Sequence, residues 1–575
     1  MFRFACRRQL LMPGNRQAAH TSRLIRQYSQ QQQQQGKYDG EVLGVDPQVS
    51  SVTKAVGAVF VGGLGYYIYS EYNSTIAPYL PWSGQGALKD AALAAADHEA
   101  KDKTRKQRQQ RETLMPKSDL GPEEQLKWAW THPGVYVTGS NEYGLADPHS
   151  PSALSGVKCA VPGLEGKLIR SAAFSKTHAA AVDSDGCVYQ WGTGFAGNKS
   201  HLPVCTLKDS NICQVATSEN YVVVRDRTSR IRLLSGTDGI NNAEPPASLK
   251  FEPALGWRES VVSLEAGRSH IAVTTSSGNV YTAALDGSGN ARYQLGHGFS
   301  TEVKPLVLQR VQSDQQFVSA ACGADHTLLL TAKGDVLGCG ANDFGQLATG
   351  SYRVDTTTVR ELVMLPKLWN NGPVRPQDAR AVSIAAGAAT SYAQIAQGST
   401  LQLLAWGRGI DGQLGNRTFT HMQGTPVSID ALSGHEELDA DRKRRAIGLR
   451  ALVSGADHAI AVRDNSTNVV ADKSGAAVST LPLFGYDVLV WGNNSAGQCI
   501  PERRHRFSEP EHPPLLYTSL SKRTEAVSRL QAAPPQWVAA ADMQNANVGK
   551  LPKKLLVEQA FAAGEQVTAA YLRPL

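Results

Sequence analysis

Aromatic side chains are scarce in this 575-residue chain, at 7%, and charged ones reach only 19%. Such a composition serves long, charge-laced helices poorly, whereas 53 glycines suit a turn-rich β protein. Cysteine is sparse and scattered: Cys6, Cys159, Cys187, Cys205, Cys213, Cys322, Cys339 and Cys499 form no Cys-x-x-Cys pair and no Cys/His cluster at zinc spacing. That pattern argues against a metal or redox site and reads as small apolar residues in a reducing compartment. Also missing are a P-loop, Gly-x-Ser-x-Gly, His-Glu-x-x-His and a dinucleotide fingerprint. No catalytic residue, cofactor or metal is assigned, and the chain reads as a non-enzyme.

Acidic residues are absent from the start of the chain, the first being Asp39. Residues 1–28 carry six arginines (Arg3, Arg7, Arg8, Arg16, Arg23, Arg26), and setting them aside lowers the formal charge from +7 to +1. The remainder is nearly neutral, so a nucleic-acid partner loses its main support. A basic, Ser- and Gln-bearing, acid-free segment has the composition of a mitochondrial presequence. Arg26-Gln27-Tyr28-Ser29 resembles the matrix-processing pattern, which places cleavage between Tyr28 and Ser29. Residues 29–51, with glutamine from Gln30 to Gln35, read as a low-complexity spacer.

No uncharged apolar run reaches 20 residues; the longest candidate is AVGAVFVGGLGYYIYS at 55–70. With its flanks, and Lys54 snorkelling, residues 52–72 are expected to form one transmembrane helix, Tyr66, Tyr67 and Tyr69 sitting at the interface. Residues 73–129 follow as a linker with a charged helical stalk at 88–112.

From about residue 130 two signatures alternate. A small-residue turn leading into an apolar strand occurs as SKTHAAAV (175–182), TSENYVVV (217–224), AGRSHIAV (266–273) and CGADHTLLL (322–330). It returns as AGAATSYAQI (386–395), SGADHAIAV (454–462) and AGEQVTAAYL (563–572). A strand ending in a glycine-rich turn occurs as VYVTGSNEYG (135–144), VYQWGTGFAG (188–197), IRLLSGTDG (231–239) and VYTAALDGSG (280–289). It continues as VLGCGANDFGQL (336–347), LLAWGRGIDGQLG (403–415) and VLVWGNNSAGQ (488–498). The chain opens on an unpaired second signature and closes on an unpaired first one. Joined, the two complete a seventh unit, as in a β-propeller whose termini share one blade.

These motifs resemble the RCC1 repeat family (regulator of chromosome condensation), with the best matches at 321–347, 385–415 and 453–498. The resemblance implies an all-β, seven-bladed propeller over 130–575, with divergent insertions at about 351–380, 417–450 and 500–557. His178, His270, His326 and His458 recur once per unit, so they are expected to hydrogen-bond the turns rather than to serve one reaction. Gly323 and Gly455 beside them are expected to supply positive φ. Trp191, Trp406 and Trp491 are expected between blades. Arg442, Lys443, Arg444 and Arg445 follow the acidic Glu436, Glu437, Asp439 and Asp441; a solvated charged loop is the simpler reading and a partner-docking loop the functional one.

Presequence, single-pass anchor, stalk and propeller together look like the fungal mitochondrial inner-membrane proteins of this family. That resemblance implies a scaffold assisting assembly of respiratory complex III, with its subunits or assembly factors as partners. Two alternatives stay open: guanine nucleotide exchange on a mitochondrial GTPase, as in some family members, and mitochondrial ribosome biogenesis. The basic stalk places the propeller on the matrix side, and a stop-transfer reading would place it in the intermembrane space.

Overall fold

The computed structural model describes residues 122–148, 153–155, 160–196, 202–237, 246–298, 303–349, 358–364, 378–438, 443–465, 485–501, 503–513, 530–543 and 551–575. The cleavage point at Tyr28 and Ser29, the spacer, the expected transmembrane segment at 52–72 and the stalk at 88–112 lie outside the described residues. Among the described residues no helix is long and apolar enough to cross a membrane.

Short strands separated by tight turns favour antiparallel hairpins, and blades 1 to 6 are each built on a four-stranded up-and-down meander, to which blade 3 adds Lys250–Glu252 in parallel with Val307–Arg310. Blade 1 runs Ile169–Phe174, Ala179–Asp183, Cys187–Trp191 and Val204–Lys208, and blade 2 runs Ile212–Thr217, Tyr221–Asp226, Ile231–Ser235 and Ala247–Ser248. The same order gives blade 3 (Val261–Ala266 to Val307–Arg310), blade 4 (Phe317–Cys322 to Thr358–Met364), blade 5 (Ala379–Ala386 to Thr420–Ser428) and blade 6 (Leu449–Ser454 to Phe507–Glu511). Blade 7 is composite. Lys554–Ala563 and Val567–Pro574 supply its first two strands, and Val135–Ser140 pairs with the latter in the register Val135↔Tyr571 to Gly139↔Val567. The ring is closed by both ends of the repeat region, as the unpaired signatures require. The fold is a seven-bladed propeller.

The first strands of successive blades touch one another around the ring, so they are its innermost strands. In blades 1 to 6 this strand carries a one-residue bulge near its start, at Arg170, Cys213, Val262, Val318, Val382 and Arg450. A bulged residue is unpaired and its side chain is re-aimed, here at the start of the innermost strand. Between blades lie apolar clusters rather than one central core; Ala272, Val280, Phe317, Ala320, Leu329 and Leu337, for example, join blades 3 and 4.

Helix α1 (Pro122–Thr131) precedes blade 7's strand from Val135. Proline suits its first position, where no N–H is needed. Leu126 and Ala129 pack on Ala533. First and third strands of each blade run in the same sense, so the chain enters at the end where innermost strands begin. We call this the entry end, and the opposite end, which carries the turns before the histidines, the far end.

Candidate functional site

The four histidines are buried at the far end of the blade interfaces. Three make the same bond. His270 Nε2 lies 3.0 Å from Thr327 Oγ1, His326 Nε2 3.0 Å from Ser391 Oγ, and His458 Nε2 3.0 Å from Thr568 Oγ1. Each partner belongs to the following blade, so the ring ties neighbouring blades together instead of only its own turn. The hydroxyls assign the tautomer at two junctions. Thr327 Oγ1 donates to Gln294 O at 2.7 Å and Ser391 Oγ donates to Gln346 O at 2.8 Å, so each accepts from a protonated Nε2. Removal from water pulls the rings down, to about 3 for His270, where the neighbouring His326 adds to the effect, and to about 4 for His326 and His458. All three are neutral at pH 7.

His178 differs. The hydroxyl position in blade 2 is filled by Val222, and the ring bonds Ser175 Oγ in its own turn through Nδ1 at 2.8 Å. Burial lowers it as well, to about 4.

Gly323 and Gly455 are not in the left-handed region, which corrects the expectation of positive φ. They are needed for close approach. A Cβ on Gly323 would lie 2.1 Å from His326 Cε1, and one on Gly455 would lie 2.3 Å from Gly564 O and 2.4 Å from His458 Cε1. The positive φ belongs to the other signature, at the glycine after tryptophan, with Gly192, Gly407 and Gly492 at 101°, 102° and 100°.

Trp191, Trp406 and Trp491 are fully buried, and each indole reaches the preceding blade. Their Nε1 groups donate to Leu145 O at 2.9 Å, Gln346 O at 2.8 Å and Gln413 O at 2.8 Å. In blade 4 the tryptophan position is Cys339, whose Sγ contacts Gln294 O at 3.4 Å in the same manner. Sequence reading missed the acceptors. The side chains of Gln294, Gln346 and Gln413 accept the N–H two residues earlier, at 2.9, 2.9 and 2.8 Å, which shapes a turn whose carbonyl is offered to the next blade. The signal was available as the recurring Gly-Gln-Leu at 345–347 and 412–414.

The charged loop folds as a hairpin, Glu436–Leu438 against Arg444–Ala446. Arg444 pairs with Glu436 at 3.4 Å; Arg445 pairs with the buried Glu437, and its Nη1 lies 3.4 Å from Asp464. Glu436 and Glu437 thus neutralise Arg444 and Arg445 across two strands, which leaves these two arginines engaged within the loop. Lys443 is exposed beside them, and Arg442 lies outside the described residues.

One cysteine expectation is also corrected. Cys187 and Cys205 form a disulfide, because the third and fourth strands of blade 1 bring their Cα atoms to 5.8 Å. Cys339 and Cys499 are buried thiols, and burial pushes Cys339 up to about 12. Among the described residues no group of three or more His, Cys, Asp or Glu side chains could hold a metal ion.

The model of the regulator of chromosome condensation (RCC1) repeat matches residues 317–346, which contain His326, Cys339 and Gln346. This chain is a seven-bladed propeller that carries a match to the RCC1 repeat. The mitochondrial RCC1 domain-containing protein RUG3 of Arabidopsis thaliana is 26% identical over 53% of this chain and 67% of its own length. The secretion-regulating guanine nucleotide exchange factor of Mus musculus is 28% identical over 41% of this chain, and the match spans 42% of that relative. Human WBSCR16 superposes with a TM-score of 0.50 at 16% identity, over 77% of this chain and 99% of that one. Yeast RCC1 (Prp20), in its complex with Kap60, does so at 0.50 and 15% identity, over 80% and 95%. These two likenesses concern the fold alone.

Proposed function

We propose that this protein is a non-catalytic, membrane-anchored propeller scaffold of mitochondria that assists assembly of respiratory complex III. The observation that carries the mitochondrial part is the acid-free, six-arginine segment at 1–28, joined by similarity to a relative named as mitochondrial. The anchor is the apolar stretch at 52–72, and the complex III role follows from the family layout described above. An interaction role suits a far end built for rigidity, since its repeat histidines and tryptophans are committed to holding blades together.

The protein sits on the matrix side in this reading, with the basic stalk retained there. The Cys187–Cys205 disulfide favours the oxidising intermembrane space instead. Protease treatment of mitoplasts separates the two, because digestion of the propeller after outer-membrane rupture excludes the matrix.

A second reading, nucleotide exchange on a GTPase, is favoured by the similarity to a guanine nucleotide exchange factor. Cytochrome spectra of mitochondria lacking the protein, taken beside labelling of mitochondrial translation products, decide the main proposal. Loss of cytochromes b and c1 with normal translation supports it, and a uniform fall in mitochondrially made proteins replaces it with ribosome biogenesis. Faster nucleotide release from a mitochondrial GTPase on addition of the protein supports exchange.

A further inference from the structure

Large apolar side chains left in water are distributed unevenly over the propeller. At the entry end, three consecutive blades place valine at the bulge of the innermost strand: Val262 and Val318 are each 53% exposed and Val382 39%. Trp257, in the loop leading into blade 3, is 88% exposed. Trp537, 65% exposed, lies on Gln536–Ala539, which pairs with the start of blade 7's innermost strand in the register Trp537↔Leu556. In the other blades the bulge is Arg170, bonded to the carbonyls of Ser210 and Ile212, Arg450, paired with Glu558 at 2.6 Å, or Cys213. At the far end the exposed apolar groups are fewer, and Arg506 covers one of them, Phe419, at 5.2 Å.

Blades 3 and 7 lie on different sides of the ring, so one peptide or small ligand cannot cover both exposed tryptophans. A planar surface can. The groups beside the tryptophans suit a headgroup layer, where indole rings favour the water–hydrocarbon boundary and cations add attraction. Arg258 stacks on Trp257 at 4.4 Å, and Lys553 and Lys554 are exposed beside the Trp537 strand. Of the nearby acids, Glu259 accepts from Asn279 at 2.8 Å and Glu252 lies 4.0 Å from Lys304, whereas Asp542 is exposed after the Trp537 strand. The chain enters this end through α1, downstream of the apolar residues 52–72.

From this arrangement we infer that the entry end of the propeller lies against a lipid bilayer, with Trp257 and Trp537 in its headgroup layer and the valine arc facing it. The inference rests on the anchored reading only for bringing a membrane within reach.

The test uses the full chain in intact mitochondria, with a photoreactive amino acid at position 257, 537 or 419. Phospholipid adducts at 257 and 537, several-fold above those at 419, are the expected result. Protein adducts at 257 and 537 would make the face a protein-docking surface and overturn the inference, as would equal lipid labelling at all three positions. Carbonate extraction of the same samples keeps the two ideas apart. Release of the chain into the supernatant ends the transmembrane anchor, and lipid adducts formed before extraction still uphold the docked face.

Discussion

The junction between blades 4 and 5 and the junction between blades 1 and 2 are built from the same repeat and held together differently. At the former, His326 reaches Ser391, Ser391 reaches Gln346 O, and Trp406 reaches the same carbonyl. At the latter, His178 is buried alike, but the hydroxyl is replaced by Val222 and the tryptophan position by Leu234 of IRLLSG. Apolar contacts among Ala180, Val182, Val215, Val222 and Val224 join the blades there. A repeat histidine therefore links two blades only where its neighbour supplies the acceptor, and one half of the motif is informative only with the other.

The largest separation between the two junctions is expected from the tryptophan. Trp406→Ala removes a fully buried indole and its carbonyl bond, and should cost about 3–5 kcal/mol, as for other large-to-small core changes. Leu234→Ala at the equivalent place should cost about 2–5 kcal/mol without leaving a carbonyl unpaired. Urea or thermal unfolding of the two variants gives the order, and a larger loss for Leu234→Ala would contradict the proposed division of labour.

Acid separates folded from unfolded chains through the same rings. Above pH 6.5 both states hold His178, His270, His326 and His458 neutral, so stability is insensitive to them. As pH falls from 6.5 toward about 4, only the unfolded chain takes up protons there, and stability drops by about 1.4 kcal/mol per pH unit for each ring. Below the folded values the loss levels off. His326→Gln should flatten the dependence by about one proton. Denaturant titrations at pH 7 and pH 5 read this directly, and an unchanged slope would mean that the ring is charged in the fold.

Next in size is the hydrogen bond itself. His326→Ala and Ser391→Ala, combined in a double-mutant cycle, should show coupling of about 0.5–1.5 kcal/mol. The pair His178 and Val222, with Val222→Ala as partner variant, should couple less because Val222 offers no acceptor and His178 spends its Nδ1 on Ser175. Equal coupling at both junctions would remove the distinction drawn above.

How much of this was legible follows the same division. The closure of blade 7 was readable because an unpaired signature stands at each end of the repeats, and Val135–Ser140 does pair with Val567–Pro574. Burial of Trp191, Trp406 and Trp491 was readable from their repeated place before a glycine and not from size, since Trp257 and Trp537 are exposed. The direction of the histidine bonds was not, because sequence spacing places a residue within a repeat and says nothing about which neighbouring blade its polar tip meets. The role of Gly323 was misread for a related reason: glycine serves both for positive φ and for close approach, and only the ring of His326 against its Cα tells them apart. The Cys187–Cys205 pair escaped because each cysteine sits in a different strand, joined by a connection of variable length.

The smallest effect is expected in the charged hairpin, where two arginines one residue apart differ in what they hold. Arg444 is two-thirds exposed and its partner Glu436 is near the surface, so water screens the pair and Arg444→Ala should change stability by less than about 0.5 kcal/mol. Arg445 neutralises Glu437, whose side chain is fully buried, and Arg445→Ala would remove that compensation and cost more than Arg444→Ala. If the loop instead serves to grip a partner, the order inverts in a different assay: Arg444→Ala would then weaken co-purification of mitochondrial partners from detergent extracts while leaving the melting temperature unchanged. A silent Arg444→Ala in both measurements, with a destabilised Arg445→Ala, leaves the hairpin as a self-contained, charge-balanced excursion from blade 5.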